Sequence, residues 1–417
     1  MHVRIPAERL RRPMQVLERI TQRPSLSPSA ASVLIEATAD RITFTASNGT
    51  FQATLPLGAG PEASGGDEAP GPEVLAPGRV LIPCHRLSRL VPLLARGQDL
   101  CLRLTQGAYG PVVRLEGAGF HMSLHALDPD LLSLIPASSW AGAPQVRAEA
   151  GALYRAMDRV RHAIAADDFK EYLMAACLEV RDGRMHWVGA DRYRCAHATV
   201  PLLPPPDGER RAVIPREAIA LMERMLPTDG EAAASEARLV FPDRAVHGEQ
   251  AFAGALVLET VYGTLLTGLL PPAYIGWRGI FRGLEPHVRG LRPDDLLMAF
   301  ARIDVLAADG DHLVELRAST ERQELELYHL TGAGDEARSV LPAMVERDLR
   351  AISNVRYLME AVRQIPEEVA IAHAPGRPLR LYHPSEPEAY EETVAVMAVR
   401  GEGLPTSAAA EREEDGR

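Results

Sequence analysis

The first places to look for chemistry in this sequence are its histidine, cysteine and acidic side chains, and their spacing is unpromising. His121-x-x-x-His125 has the separation of a pair of metal ligands, but the residues around it alternate like a strand, and no Glu or Cys completes a site. Cys195-x-His197 is less persuasive still, and Asp167-Asp168 reads as a solvated loop pair rather than an acid/base couple. The four cysteines (Cys84, Cys101, Cys177, Cys195) have no paired metal spacing and are too few for a disulfide scaffold, which points to a reducing cytoplasm. There is no glycine-rich dinucleotide turn, phosphate-binding loop or nucleophile elbow. No catalytic residue, metal or cofactor is therefore expected.

Arginine is the residue type that stands out. Six segments read as helices: Ala7–Thr21, 83–97, 149–164, 215–226, 292–304 and 353–364. Together they hold sixteen arginines, ten acids and no lysine. The helices sum to +6 in a chain of net charge −11, so the remainder carries −17. A single arginine on a solvated helix face means little, but the collective bias fits helices gathered into a basic lining with an acidic exterior. Such a lining follows phosphates without reading bases. Arg9, Arg12, Arg86, Arg155, Arg159, Arg216 and Arg356 are the helical candidates for this contact.

The elements that position these residues recur. The chain, 417 residues long, gives three times a helix, short alternating strands, a second helix and more strands. The first unit pairs a helix over residues 7–21 with one over 83–96, and strands at 33–37, 42–46, 100–104, 112–115 and 121–124. Pro13 and Pro92 lie inside those helices and threaten kinks. The second unit has helices near 149–164 and 216–226. Between them lie strands at 172–180 and 184–189 around an Asp182-Gly183 turn, then a third to residue 202. Pro215 opens the second helix. The third unit places helices at 292–304 and 353–364 among strands at 312–318, 324–329, 369–372, 379–383 and 392–399. Residues 58–78 read as a long exposed loop, 267–290 as a connection, and 401–417 as a disordered acidic tail. No stretch approaches a membrane span.

Four stretches carry a resemblance. Gly189-Ala190-Asp191-Arg192-Tyr193-Arg194-Cys195, followed by Val213-Ile214-Pro215-Arg216, resembles the middle domain of the bacterial DNA polymerase III β subunit, the β sliding clamp. The N-terminal pattern HVRIPAERLRRPMQVLERITQRPSLSP resembles the same family. So do Ser353–Val362 read as SNVRYLMEAV and the closing Val396-Met397-Ala398-Val399-Arg400. In order and spacing they cover nearly the whole chain to residue 400.

The resemblance implies an α+β fold of three structurally similar clamp domains, each with two helices packed on antiparallel sheets, at residues 1–143, 144–283 and 284–400. Two copies would close a head-to-tail dimeric ring around double-stranded DNA, bound without regard to sequence. The ring would tether a replicative polymerase and other replication or repair proteins, and a clamp loader would open it. It also implies a DNA-contacting role for Arg23, and a dimer interface of Phe120 against Val305 and Leu306. Partner peptides would dock in a groove of Lys170, Leu173, Ala190, Arg192, Tyr193, Arg194, Cys195, Pro272, Trp277, Val396, Met397, Ala398, Val399 and Arg400. Here the chain departs from the family: Arg192 replaces a glycine, Cys195 a leucine and Ala398 a proline, and the chain runs on past Arg400. These changes predict weaker binding of a consensus clamp-binding peptide, with Trp277 restoring apolar surface as an anchor. They also raise a second reading, a specialised paralogue with altered partner choice. A monomeric α/β enzyme is the remaining alternative.

Overall fold

The computed structural model describes residues 1–21, 27–58, 71–203, 208–242, 246–247, 250–251, 254–281, 285–308, 310, 312–374, 377–384 and 393–396. Among them are eight α-helices: α1 (Ala7–Thr21), α2 (Cys84–Leu90), α3 (Ala150–Arg161), α4 (Arg216–Met225), α5 (Gly230–Ala233), α6 (Arg278–Phe281), α7 (Pro293–Ala307) and α8 (Val355–Val362). No helix among the described residues is long and apolar enough to cross a membrane. The chain divides into two compact units, one of residues 1–155, 180–184 and 200–272, the other of 156–179, 185–199 and 273–417.

In the first unit α1 packs on α2 and α4. Its buried face is Leu10, Met14, Val16, Leu17 and Ile20, the 3.6-residue repeat read from the sequence. Pro13 is accommodated within α1. Pro92 is not accommodated: α2 stops at Leu90 and Val91–Leu93 tightens into a 3-10 turn, short of the expected helix to 96. The ring removes one backbone donor and crowds the preceding turn, which explains the difference.

The strands behind these helices form an eight-stranded antiparallel sheet. Its order is Gln145–Glu149, Glu236–Val240, Ala255–Thr260, Gly263–Gly268, Phe51–Gly58, Arg41–Ser47, Ser32–Ala37 and Gly78–Pro83. The seam is the register Thr264↔Thr54 to Thr267↔Phe51, so one sheet is continuous across the boundary expected near residue 143. A second sheet of five strands runs Glu73–Ala76, His2–Pro6, Asp99–Gly107, Gly110–Gly117 and Phe120–His125. Glu73–Ala76 pairs with the first strand, so the exposed loop expected over 58–78 does not extend to its far end. Residues 59–70 lie outside those described.

The second unit repeats the plan. α7 packs on α8, and a four-stranded sheet runs Glu336–Pro342, Glu324–Leu330, Leu313–Ser319 and Leu349–Asn354. Another sheet contains the run Ala175–Arg181, Arg184–Ala190, Arg194–Pro201, Thr393–Val396, Leu379–Tyr382 and Val369–Ala372. Again strands distant in sequence join at a seam, Arg194↔Val396 to His197↔Thr393. The turn at Asp182-Gly183 takes positive φ at both residues, +53° and +71°, as a two-residue hairpin of this twist demands. Residues 172–174 are not strand, as the sequence reading had them. Glu171–Met174 is a 3-10 turn, closed by the Leu173 amide on the Lys170 carbonyl at 2.8 Å.

Candidate partner-binding and nucleic-acid surfaces

The loop between Arg184–Ala190 and Arg194–Pro201 is organised by one carboxylate. Asp191 Oδ1 accepts from the amides of Tyr193 (2.7 Å) and Arg194 (2.8 Å), and its Oδ2 accepts from Arg194 Nε at 3.0 Å. Side-chain capture of the second and third amides is the local turn that favours Asp here. Arg194 also pairs with Glu360 on α8, and its guanidinium sits 4.5 Å above the Tyr357 ring. Tyr193 stacks on the same ring at 5.8 Å. Gly189, just before the loop, lies against α3, where a Cβ would collide with the Val160 carbonyl.

Arg192 neither swings free nor lies unpartnered. Its Nε is 3.0 Å from Asp168 Oδ2, and it is half exposed (52 %) while the Asp168 side chain is 2 % exposed. Asp168 is thus not the solvated loop residue read from the sequence. Its other oxygen accepts from the Lys170 amide at 2.9 Å. The Arg192 guanidinium lies 5.8 Å from the Phe169 ring and 5.9 Å from that of Tyr193. Phe169 is 78 % exposed, a large apolar side chain that folding leaves in water.

Leu173, Ala190, Cys195 and Trp277 lie in one buried cluster with Ala165, Cys177, Val188 and Phe281. Burial pushes the Cys195 thiol well up, so it is no nucleophile. Trp277, expected as a surface anchor, is 3 % exposed. Its ring stacks on His197 at 4.6 Å and meets Phe281 edge-on at 6.2 Å, a seat that buries more area than a groove wall would. His197 and His186 stack in turn, with Nδ1 of His186 3.1 Å from Nε2 of His197. Tyr274 donates its hydroxyl to the carbonyls of Ala175 and Val188 at 3.1 and 3.3 Å, and burial pushes its pKa up. Pro272 belongs to the first unit, where it lines a cleft of about 460 Å³ with Phe241, Leu269 and Leu270. Val396 is placed by its backbone pairing with Arg194, and Met397, Ala398, Val399 and Arg400 lie outside the described residues.

The arginines divide between the units. α1 carries Arg9 and Arg12, with the Arg12 guanidinium 3.6 Å from the Tyr262 ring centroid. Arg86 is exposed on α2, and Arg216 opens α4. Arg155 is 3.5 Å from Glu149, Arg159 is partly buried on α3, and Arg356 lies 3.5 Å from Asp304. Arg23 lies outside the described residues. Where α1 meets α4, Arg224 has a lowered pKa, first from desolvation and then from the Arg19 charge. The nearby Glu223 carboxylate acts in the opposite direction. Sequence reading counted both arginines but had no reason to single them out.

No family model matches the sequence. The β sliding clamp of Caulobacter vibrioides is 23 % identical over 378 residues, 89 % of this chain and 93 % of the relative. The β sliding clamp of Pseudomonas aeruginosa is 24 % identical over 233 residues, 55 % of this chain and 58 % of the relative. The solved P. aeruginosa DNA polymerase III subunit β superposes with a TM-score of 0.78 at 19 % identity, over 96 % of this chain and all of that one. The chain is similar in sequence and in fold to the β sliding clamps. The Bacillus subtilis DNA polymerase sliding clamp shares the fold at a TM-score of 0.80 and 15 % identity, with the same coverage. Within that clamp fold, the resemblance pointed to the loop 190–194 and its apolar floor. It did not point to Asp168, Phe169, Tyr357 or Glu360, because their pairing with the loop is visible only once the chain is folded.

Proposed function

We propose that this chain is a sliding clamp that encircles duplex DNA and confers processivity by tethering a polymerase and other replication or repair proteins. The observation that carries this reading is the match of the fold over 96 % of the chain to whole sliding clamps, together with the weak identity that spans 89 % of it. The functional chemistry is that of a track and a tether. Helices bearing Arg9, Arg12, Arg19, Arg86, Arg155, Arg159, Arg216, Arg224 and Arg356, with Arg23, supply a modest positive field to phosphates, while topology supplies retention. The ring is a homodimer of three-domain subunits, with domains over residues 1–143, 144–283 and 284–400, opened by a clamp loader. It works in the cytoplasm without a catalytic site, metal or cofactor of its own. Partners dock as short peptides at the loop 190–194.

A second reading, a specialised paralogue with altered partner choice, is favoured by the Arg192–Asp168 pair and the buried Trp277. It keeps the ring and changes the peptides.

Loaded onto nicked circular DNA, the protein is expected to stay bound many times longer than on linear DNA of the same length. On open linear duplex, equilibrium binding is expected to fall steeply with salt and not to depend on sequence. Gel filtration of loaded circles, before and after cutting them once, reads this directly. Equal retention on the two forms, or a preference for one sequence, would contradict an encircling clamp.

A further inference from the structure

We infer that Trp277 sets partner specificity by filling, from within, the apolar floor that a partner's leucine or phenylalanine would enter; this rests on the groove reading above. The floor is Leu173, Ala190 and Cys195, each buried, and the indole lies in the same cluster at 3 % exposure. Three contacts hold it. One face stacks on His197, itself stacked on His186. The Arg278 guanidinium is 4.4 Å from the indole ring, and Arg278 is in turn fixed by Glu179 at 2.5 Å. Phe281 closes the edge.

The indole holds this seat through area and ring contacts alone. Its Nε1–H is buried and has no hydrogen-bond acceptor among the described residues. A smaller apolar residue at 277 therefore leaves no acceptor stranded, and it opens a void bordered by the Phe281 and His197 rings, the Arg278 guanidinium and the buried floor, with room for an apolar or aromatic guest. A partner segment that buries a leucine or phenylalanine is excluded from the native chain. What remains open to partners is the rim above, with exposed Phe169 and Tyr193 flanking Arg192. A segment read by that rim would lie across its rings instead of inserting a side chain.

The test measures a synthetic hexapeptide containing adjacent Leu and Phe, by calorimetry, on the native chain, Trp277→Ala and Trp277→Leu. Tighter binding by at least tenfold is expected for Trp277→Ala, with a smaller gain for Trp277→Leu, which keeps more of the volume and guards against loss of the fold. Free indole is expected to bind Trp277→Ala, to compete with the peptide there, and to leave the native chain untouched. Equal peptide affinity across all three proteins overturns the inference, as does indole binding without any peptide gain. Retention of the same proteins on circular DNA separates a failure here from a failure of the clamp reading.

Discussion

In the head-to-tail ring proposed above, Phe120→Asp is expected to turn a dimer of 45.3 kDa subunits into folded monomers. Phe120 begins the strand Phe120–His125, which ends the five-stranded sheet and pairs, among the described residues, only with Gly110–Gly117. Its ring lies over Gly117, where any Cβ would collide with it, so one face is covered by its own hairpin and the residue is left half-buried. On α7, Val305 is 72 % exposed, Met298 is exposed two turns earlier, and Leu306 is partly exposed. Apolar area of this kind on a helix face is what a partner surface would cover. In a head-to-tail ring the same contact occurs twice, because each subunit offers one edge and one helix. Losing a central apolar contact and burying a carboxylate there costs about 2 kcal/mol or more at each contact. Two contacts together amount to about a thousandfold in the dimerisation constant. Sedimentation equilibrium reads the mass, and circular dichroism checks that the monomer stays folded. A dimer unchanged in Phe120→Asp removes this residue from the interface, and Val305→Asp examines the other side independently.

Acid is expected to loosen the partner loop through His162. Burial, and then the nearby Arg194 cation, push this imidazole down to about 4. An unfolded histidine titrates near 6.5, so between about pH 6.5 and pH 4 the unfolded chain binds the proton and the folded chain refuses it. The contribution is fully present above pH 6.5 and is lost as pH falls toward 4. It amounts to about 2 kcal/mol between pH 7 and pH 5, and to about 3 kcal/mol in full. The site feels the change because Arg194 is also the side chain that ties Asp191 to Glu360. An imidazolium beside it would oppose that clasp. Urea unfolding at pH 7 and pH 5, on the native chain and on His162→Leu, isolates the effect. The native chain should lose about 2 kcal/mol more than the variant over that interval. Parallel loss in both proteins would show that His162 is not the group responsible.

Much of this molecule was legible from residue order. Helical periodicity placed α1, α4, α7 and α8 within a few residues, because a one-sided apolar stripe repeats every turn whatever the stripe later packs against. The Asp182-Gly183 turn was legible because it is a local conformational demand, and the excess of helical arginine because charge is counted without coordinates.

What the sequence left open depended on partners far away along the chain. Strands at Phe51–Gly58 and Gly263–Gly268 went unread; each is one arm of a local hairpin, but no local pattern announces the seam that joins residues 54 and 264. Asp168 looked solvated because its neighbours are polar; only folding brings Arg192 to within 3.0 Å of it. Trp277 carried the same ambiguity in a sharper form. An indole in a Gly- and Pro-rich stretch can anchor a partner or fill a core, and the two roles share one local sequence. The choice fell to His197, whose ring reaches the indole only in the tertiary structure, while Arg278 and Phe281 complete the seat from the adjoining helix. Burial is a property of the surroundings, and Leu173, Cys195 and His197, which complete them here, lie far from residue 277 in sequence.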